Sequence, residues 1–392
     1  MSTKQKIAIF GSTGSVGSTA LNIISKYPNL FNVELLVCEN NNLKIVKQAN
    51  KFSANYIYVN NNDSLSKINK KNLKKKIQIL RDFHELERIF CKKKKIDKVI
   101  LCVPSFVGLK YAFSATKFSK EILIANKESI VCGGQIFLKE AKKNNCKITS
   151  IDSEHYCLSE IIKNQKLCKI NSVYLTASGG PFLNKTKNFY KKSLIKDVIN
   201  HPKWRMGKKI SVDSATMVNK MFEIIEAHVL FNIPLDKIKI KIHKESLIHS
   251  AVVFKDGLVK LVMHDTSMVI PIRNCLFNHN FFSQKKNYFI KKTDFSLSFN
   301  ESLIKQFEII NFSHKIIRLG HRAWIFFNVI NDILVQKFLK KEIFFYQITK
   351  NLINIFNNRS IILYCKTKII NISDIQKTIN YAENIFKYYK VR

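Results

Sequence analysis

The chain has 392 residues, 46% hydrophobic and 11% aromatic, enough to bury one large core or two to three smaller ones, and this excludes a disordered polymer. Its formal net charge is +38, but the Lys runs at 70–71, 74–76 and 92–95 carry no interleaved aromatic residues, so no single-strand nucleic-acid platform is expected. The excess reads as solvated surface in a chain also crowded with Ile, Asn and Phe, and it would attract an anionic substrate.

Residues 6–10, 33–38, 56–59, 98–103, 122–125 and 147–151 read as strands, with residues 18–26, 43–51 and 108–117 among the helices between them. Such alternation predicts an α/β, doubly wound (Rossmann-like) domain over 1–150, with ligands at the carboxyl ends of its strands. Between the first strand and first helix lies Gly11-Ser-Thr-Gly-Ser-Val-Gly17. Its glycines allow a tight turn and let backbone amides approach a pyrophosphate; Thr13 and Ser15 could add hydroxyl donors. The second strand ends at Cys38-Glu-Asn-Asn41. An acid there suits the ribose of NAD, whereas NADP needs a cation; Lys44 is close but not adjacent, so these residues leave the choice open.

From 151 to 285 the pattern becomes mixed, with strand candidates at 172–176, 238–242, 251–254 and 259–262, predicting an α+β domain with its own sheet. Residues 286–304, rich in Lys, Asn and Ser, read as a linker. Helical periodicity at 301–310, 316–338, 342–356 and 372–389 predicts a C-terminal helix bundle over 305–392. No apolar run reaches the eighteen or so residues of a membrane span, and the N-terminus enters a strand at once, so a cytoplasmic protein is expected. Nine scattered cysteines without Cys-x-x-Cys spacing read as reduced thiols.

Asp152 and Glu154 follow the strand at 147–151, and period-two geometry would place both carboxylates on one face. With Glu223 they would form an oxygen-rich site suited to Mg²⁺ or Mn²⁺. Residues 214–223 read as one helix starting near Ser214, with Asn219, Lys220 and Glu223 on a common face opposite Met217, Val218, Met221, Ile224 and Ile225. Ser214, Asn219 and Lys220 suit a phosphate, and Ser178-Gly-Gly-Pro181 could wrap an anion with its hydroxyl and amides. His201 and Trp204 lie in a Pro- and Gly-punctuated segment that reads as a mobile loop able to cover a substrate.

These motifs, together with Ala125-Asn-Lys-Glu-Ser129 and residues 328–332, occur in the order and spacing of the 1-deoxy-D-xylulose 5-phosphate reductoisomerase family, which the chain resembles over nearly its whole length. The resemblance implies an NADPH-dependent enzyme of non-mevalonate isoprenoid synthesis, acting on a sugar phosphate with a divalent metal, as a homodimer. It implies NADPH contacts from Thr13, Gly14, Ser15, Val16, Asn40, Asn41, Asn126, Glu128 and Gly207, and metal ligation by Asp152, Glu154 and Glu223. Substrate contacts would come from Ser178, Ser214, Asn219 and Lys220, chiefly to phosphate, and from Lys127, Ser153, Glu154 and His201 to the hydroxylated backbone. Trp204 would sit on a flap and His249 near the metal. The chain departs from the family where Glu39-Asn-Asn41 replaces Gly-Lys/Arg-Asn, and where His264-Asp-Thr-Ser-Met-Val269 replaces Gly-x-Pro-Asp-Met-Arg.

Overall fold

A computed structural model describes residues 4–183, 185, 187–278, 296–301 and 307–391. The chain divides into two compact units. The first comprises Met1–Ser129, Phe137–Asp152 and Met268–Phe282; the second comprises Ile130–Ile136, Ser153–Ser267 and Ser283–Arg392.

The first unit holds seven parallel strands: β1 (Gln5–Phe10), β2 (Phe31–Cys38), β3 (Tyr56–Val59), β4 (Gln78–Leu80), β5 (Ile96–Leu101), β6 (Ser119–Ile124) and β7 (Lys147–Ser150). Their order is β4-β3-β2-β1-β5-β6-β7, so the winding reverses between β1 and β5. Residues 7–10 and 99–101 are completely buried, as befits strands covered on both faces. The short β4, beside the lysine-rich stretch, has too little pattern to be read from sequence. The glycine turn stands at the switch point, where an open α/β sheet forms its ligand crevice. Gly11 has φ +89°, and a Cβ there would lie 2.7 Å from the Cys102 carbonyl oxygen of the strand-end across the switch. The helix Ser15–Ile24 begins three residues before its expected start, with Gly14 as an N-cap that makes no side-chain capping bond.

The second unit is built on a four-stranded mixed sheet. Strands β8 (Ile170–Ala177), β9 (Ile238–Ile242), β10 (Ile248–Phe254) and β11 (Val259–Met263) stand in the order β11-β10-β8-β9, with β8 and β9 parallel. The helices Ser153–Ile162 and Val218–Phe231 pack on it. The C-terminal helices surround His321–Leu339, which is apolar on nearly every side and accordingly buried. The sequence suggested one helix across 316–338; Gly320, at φ +96°, divides it into Glu308–Leu319 and His321–Leu339. Helix Arg359–Cys365 was not anticipated, and most of the residues expected as linker lie outside those described. Among the described residues no helix is long and apolar enough to cross a membrane, and none of the nine cysteines is in a disulfide.

Two local expectations are corrected. Strand β7 ends at Ser150, and Ser153 opens a helix, so Asp152 and Glu154 owe nothing to strand periodicity: Glu154 lies in a helical first turn. The segment around Ser214 is two helices, Lys208–Thr216 and Val218–Phe231, separated by Met217 at φ +66°. Ser214 therefore closes one helix instead of opening the other. A non-Gly left-handed residue is costly alone, but Met217 is buried, so packing fixes the break.

The turn should tolerate no side chain at its third glycine. A Cβ at Gly17 would lie 2.6 Å from the Ser12 Cα. Gly17→Ala should cost about 1–3 kcal/mol through overpacking, seen as a lower urea midpoint at unchanged m-value.

Candidate active site

In the second unit the site is organised by Lys220. This residue is 4% exposed, and its ammonium lies 2.9 Å from Glu154 Oε1 while also pairing with Glu223 and donating to the Thr176 carbonyl. Lys220 and Glu223 are one helical turn apart on Val218–Phe231, while Glu154 enters from the start of Ser153–Ile162. Burial by itself would lower the Lys220 pKa; the two adjacent carboxylates outweigh it and hold the pKa above the ordinary lysine value. Asn219 donates to Glu223 Oε1, and Ser153 Oγ donates to Glu154 Oε2 at 2.6 Å. The Ser250 hydroxyl holds the Glu154 main-chain carbonyl at 2.7 Å. The acids thus keep fixed orientations, their oxygens within 4.8 Å of each other.

A histidine that sequence reasoning left aside supports this arrangement. His155 is fully buried; its Nε2 lies 2.9 Å from the Glu223 main-chain oxygen and its Nδ1 lies 3.3 Å from Glu226. Its place beside Glu154 was visible, but the partner Glu226 was not, because it approaches from the next turn of a distant helix.

The second feature is the Ser178–His201 pair. Beyond β8 the chain turns through Gly179 and Gly180, at φ +85° and +64°, conformations suited to glycine. This places the Gly180 amide 3.2 Å from Ser178 Oγ. A Cβ at Gly180 would lie 3.4 Å from the Ser214 carbonyl oxygen, so Ser214 borders the same turn. His201 Nδ1 accepts the amide hydrogens of Lys203 and Trp204 at 3.1 and 3.0 Å. The ring proton therefore resides on Nε2, which donates to Ser178 Oγ at 3.0 Å. With both acceptor positions of Ser178 engaged, its own hydroxyl proton is available to an anion. Burial pushes His201 down to about 4, against a smaller upward pull from Glu154, so the ring is neutral near pH 7. Trp204 meets His249 edge-on at 5.8 Å, and His249 stacks on His264 at 4.1 Å. The loop thus rests on an imidazole pair.

A further buried network, Lys209 with Asp213 at 2.7 Å and Asp332 at 3.2 Å, plus Asn331 on Asp213 at 2.8 Å, ties Lys208–Thr216 to His321–Leu339. Gly207 caps the N-terminus of the former helix, with open space around its Cα.

In the first unit Lys127 is 3% exposed and pairs with Asp152 at 2.8 Å. Asn126 caps the helix that starts at Lys127: its Oδ1 accepts from the Ser129 amide and its Nδ2 donates to the Ser105 carbonyl. Glu128 is buried beside it. Asn41 is likewise a helix cap, accepting from the Lys44 amide at 3.0 Å, while Asn40 is exposed. Thr13, Gly14, Ser15 and Val16 form the turn and first residues of Ser15–Ile24.

The histidine geometry predicts an acid-sensitive fold. His201 and His264 each lie at about 4 in the folded chain against 6.5 for an ordinary histidine, so the unfolded chain takes up protons first as pH falls. Stability should be full above about pH 6.5 and decline between 6.5 and 4. His201→Gln should flatten part of that decline, as read from urea midpoints measured across pH.

Comparison with known proteins places this geometry in a lineage. Family models for 1-deoxy-D-xylulose 5-phosphate reductoisomerase match residues 7–134, with its C-terminal domain models matching 148–231 and 263–386. A 1-deoxy-D-xylulose 5-phosphate reductoisomerase of Pelagibacter ubique (strain HTCC1062) is 38% identical over 383 residues, covering 96% of this chain and 97% of that protein. That of Wolbachia pipientis wMel is 35% identical, covering 88% of each. Among solved structures, a DOX-P reductoisomerase in complex with NADPH, fosmidomycin and magnesium superposes with a TM-score of 0.88 at 29% identity, covering 98% of this chain and 97% of that one. The chain belongs to the 1-deoxy-D-xylulose 5-phosphate reductoisomerase family.

Proposed function

We propose that this chain converts 1-deoxy-D-xylulose 5-phosphate to 2-C-methyl-D-erythritol 4-phosphate, using NADPH and a bound Mg²⁺ or Mn²⁺, in the non-mevalonate route to isoprenoids. The observation that carries this reading is the convergence of Glu154 and Glu223 on buried Lys220, with the field of Glu154 reaching His201 beside Ser178. It occurs in a chain 38% identical to a protein of that activity.

The donor set fits a hard divalent cation. Two glutamates share one lysine, leaving an excess negative charge in a buried place, and all the donors are oxygens. Asp152, two residues before Glu154, supplies the third carboxylate on this reading. When bound, the metal supplies Lewis acidity toward the ketone and hydroxyl oxygens of the substrate during skeletal rearrangement, and the dinucleotide supplies the hydride that reduces the resulting aldehyde.

The residues of the chain bind and orient. Ser178 directs its hydroxyl proton, and the Ser178–Pro181 turn its amides, toward the substrate phosphate, together with Ser214 and Asn219, while Lys220, its donors held by Glu154, Glu223 and Thr176, adds a fixed positive charge. Neutral His201 holds Ser178 in that orientation; because its Nδ1 is fixed by two amides, the donor direction stays set near neutral pH. Lys127 and Ser153 contact the hydroxylated backbone. Trp204, seated on His249, covers the substrate and excludes water. Residues 1–150 bind the dinucleotide, 151–285 the metal and substrate, and 305–392 form the supporting bundle, in a cytoplasmic homodimer.

Purified protein should oxidise NADPH only with 1-deoxy-D-xylulose 5-phosphate and Mg²⁺ or Mn²⁺ present, and EDTA should stop it. Glu223→Gln should lower kcat by about a hundredfold or more, with a parallel loss of metal affinity. Unchanged metal dependence in that variant would remove Glu223 from the site.

A further inference from the structure

The end of β2 poses a charge problem for a 2′-phosphorylated dinucleotide. Its first residues, Glu39-Asn40-Asn41, offer an acid and no cation, although the adenosine ribose of a dinucleotide lies beside this strand end. A carboxylate free to face the ribose would favour the unphosphorylated cofactor. In this chain Glu39 is engaged elsewhere: Asn60 donates to both of its oxygens at 2.9 and 3.1 Å. Asn60 is itself fixed at Oδ1 by the Tyr58 hydroxyl at 2.9 Å and the Lys110 ammonium at 3.2 Å.

The opposite charge comes from the next helix. Lys44 lies in the first turn of Asn42–Phe52, and its side chain reaches back to the glycine turn. Its ammonium donates to the Thr13 carbonyl at 2.7 Å and to Ser18 Oγ at 2.9 Å. Both acceptors are neutral. Among the described residues no carboxylate ion-pairs with Lys44, although the site is part-buried. An ammonium has three donors, so one remains for a ligand anion beside the open N-terminus of Ser15–Ile24, where Gly14 brings no side-chain cap.

We propose that Lys44 is the specificity-determining cation for the 2′-phosphate of NADPH in this chain, with Glu39 held aside by Asn60. This rests on the dinucleotide-binding part of the function proposed above. Helix Asn42–Phe52 carries the charge that the strand end lacks, and the two neutral bonds fix its direction without neutralising it. A lysine at this site acts as a point charge, so arginine could substitute if its length is accommodated.

The test is equilibrium binding of nucleotides to the full chain, without substrate or metal, by calorimetry or NADPH fluorescence. Lys44→Gln, which keeps an amide donor for Thr13 and Ser18, should weaken NADPH and 2′,5′-ADP by about tenfold or more while leaving NADH and 5′-AMP within about twofold. Glu39→Gln, at a carboxylate already held aside by Asn60, should leave the NADPH-to-NADH ratio within about twofold or raise it, and a fall matching that of Lys44→Gln would overturn the assignment. Lys44→Ala with the same selective loss would show that charge, not the bridge to the turn, is responsible. Equal weakening of both nucleotide classes, or no change in either, would overturn the proposal and leave the reductoisomerase reading intact. Failure of the unmodified chain to bind any of the four would overturn the proposal and the dinucleotide reading together.

Discussion

One buried ammonium holds the second unit's chemistry in place. Lys220 has lost nearly all its water, and desolvating a cation is expensive unless its partners are close and fixed. Glu154, Glu223 and the Thr176 carbonyl supply those partners from the start of one helix, the same helix as the lysine and the end of β8. Removing any of them leaves charge uncompensated in a dry place. The three elements must therefore fold together, and the carboxylates are positioned before any ligand arrives.

The backbone breaks serve that arrangement. The left-handed Met217 lets Lys208–Thr216 and Val218–Phe231 diverge, so Ser214 comes to the Ser178–Gly180 turn while Asn219 and Lys220 face the acids. The Lys209–Asp213–Asp332 network anchors the first of these helices to the C-terminal bundle. Burying such charges contributes little net stability, but it specifies one arrangement of the helices. In the function proposed above, water exclusion, phosphate orientation and metal ligation would share this single polar scaffold.

The neutral state of His201 shows how environment sets function. An exposed histidine would titrate near neutrality and change its donor pattern with modest acidification. Burial and two amide donors on Nδ1 remove that freedom, so Ser178 receives a constant hydrogen bond. Hydrogen bonds to fixed partners likewise keep Glu39 turned toward Asn60 and Lys44 turned toward the glycine turn.

The sequence by itself determined the alternation of strands and helices, the glycine turn at a strand end and the common face of Asn219, Lys220 and Glu223. These are short-range consequences of periodicity and glycine geometry. It also carried enough linked motifs to identify the family. It misjudged what depends on local breaks: the strand before Asp152 ends early, and the helix holding Ser214 stops at Met217, because a left-handed turn in a buried Met leaves no compositional mark. Only tertiary structure decided that Lys220 sits between two carboxylates, that His155 reaches Glu226, and that Lys44 turns back to Thr13. Apart from Lys220–Glu223, one helical turn apart, those pairings join residues far apart in sequence, and desolvation, which selects them, acts only once the chain has packed.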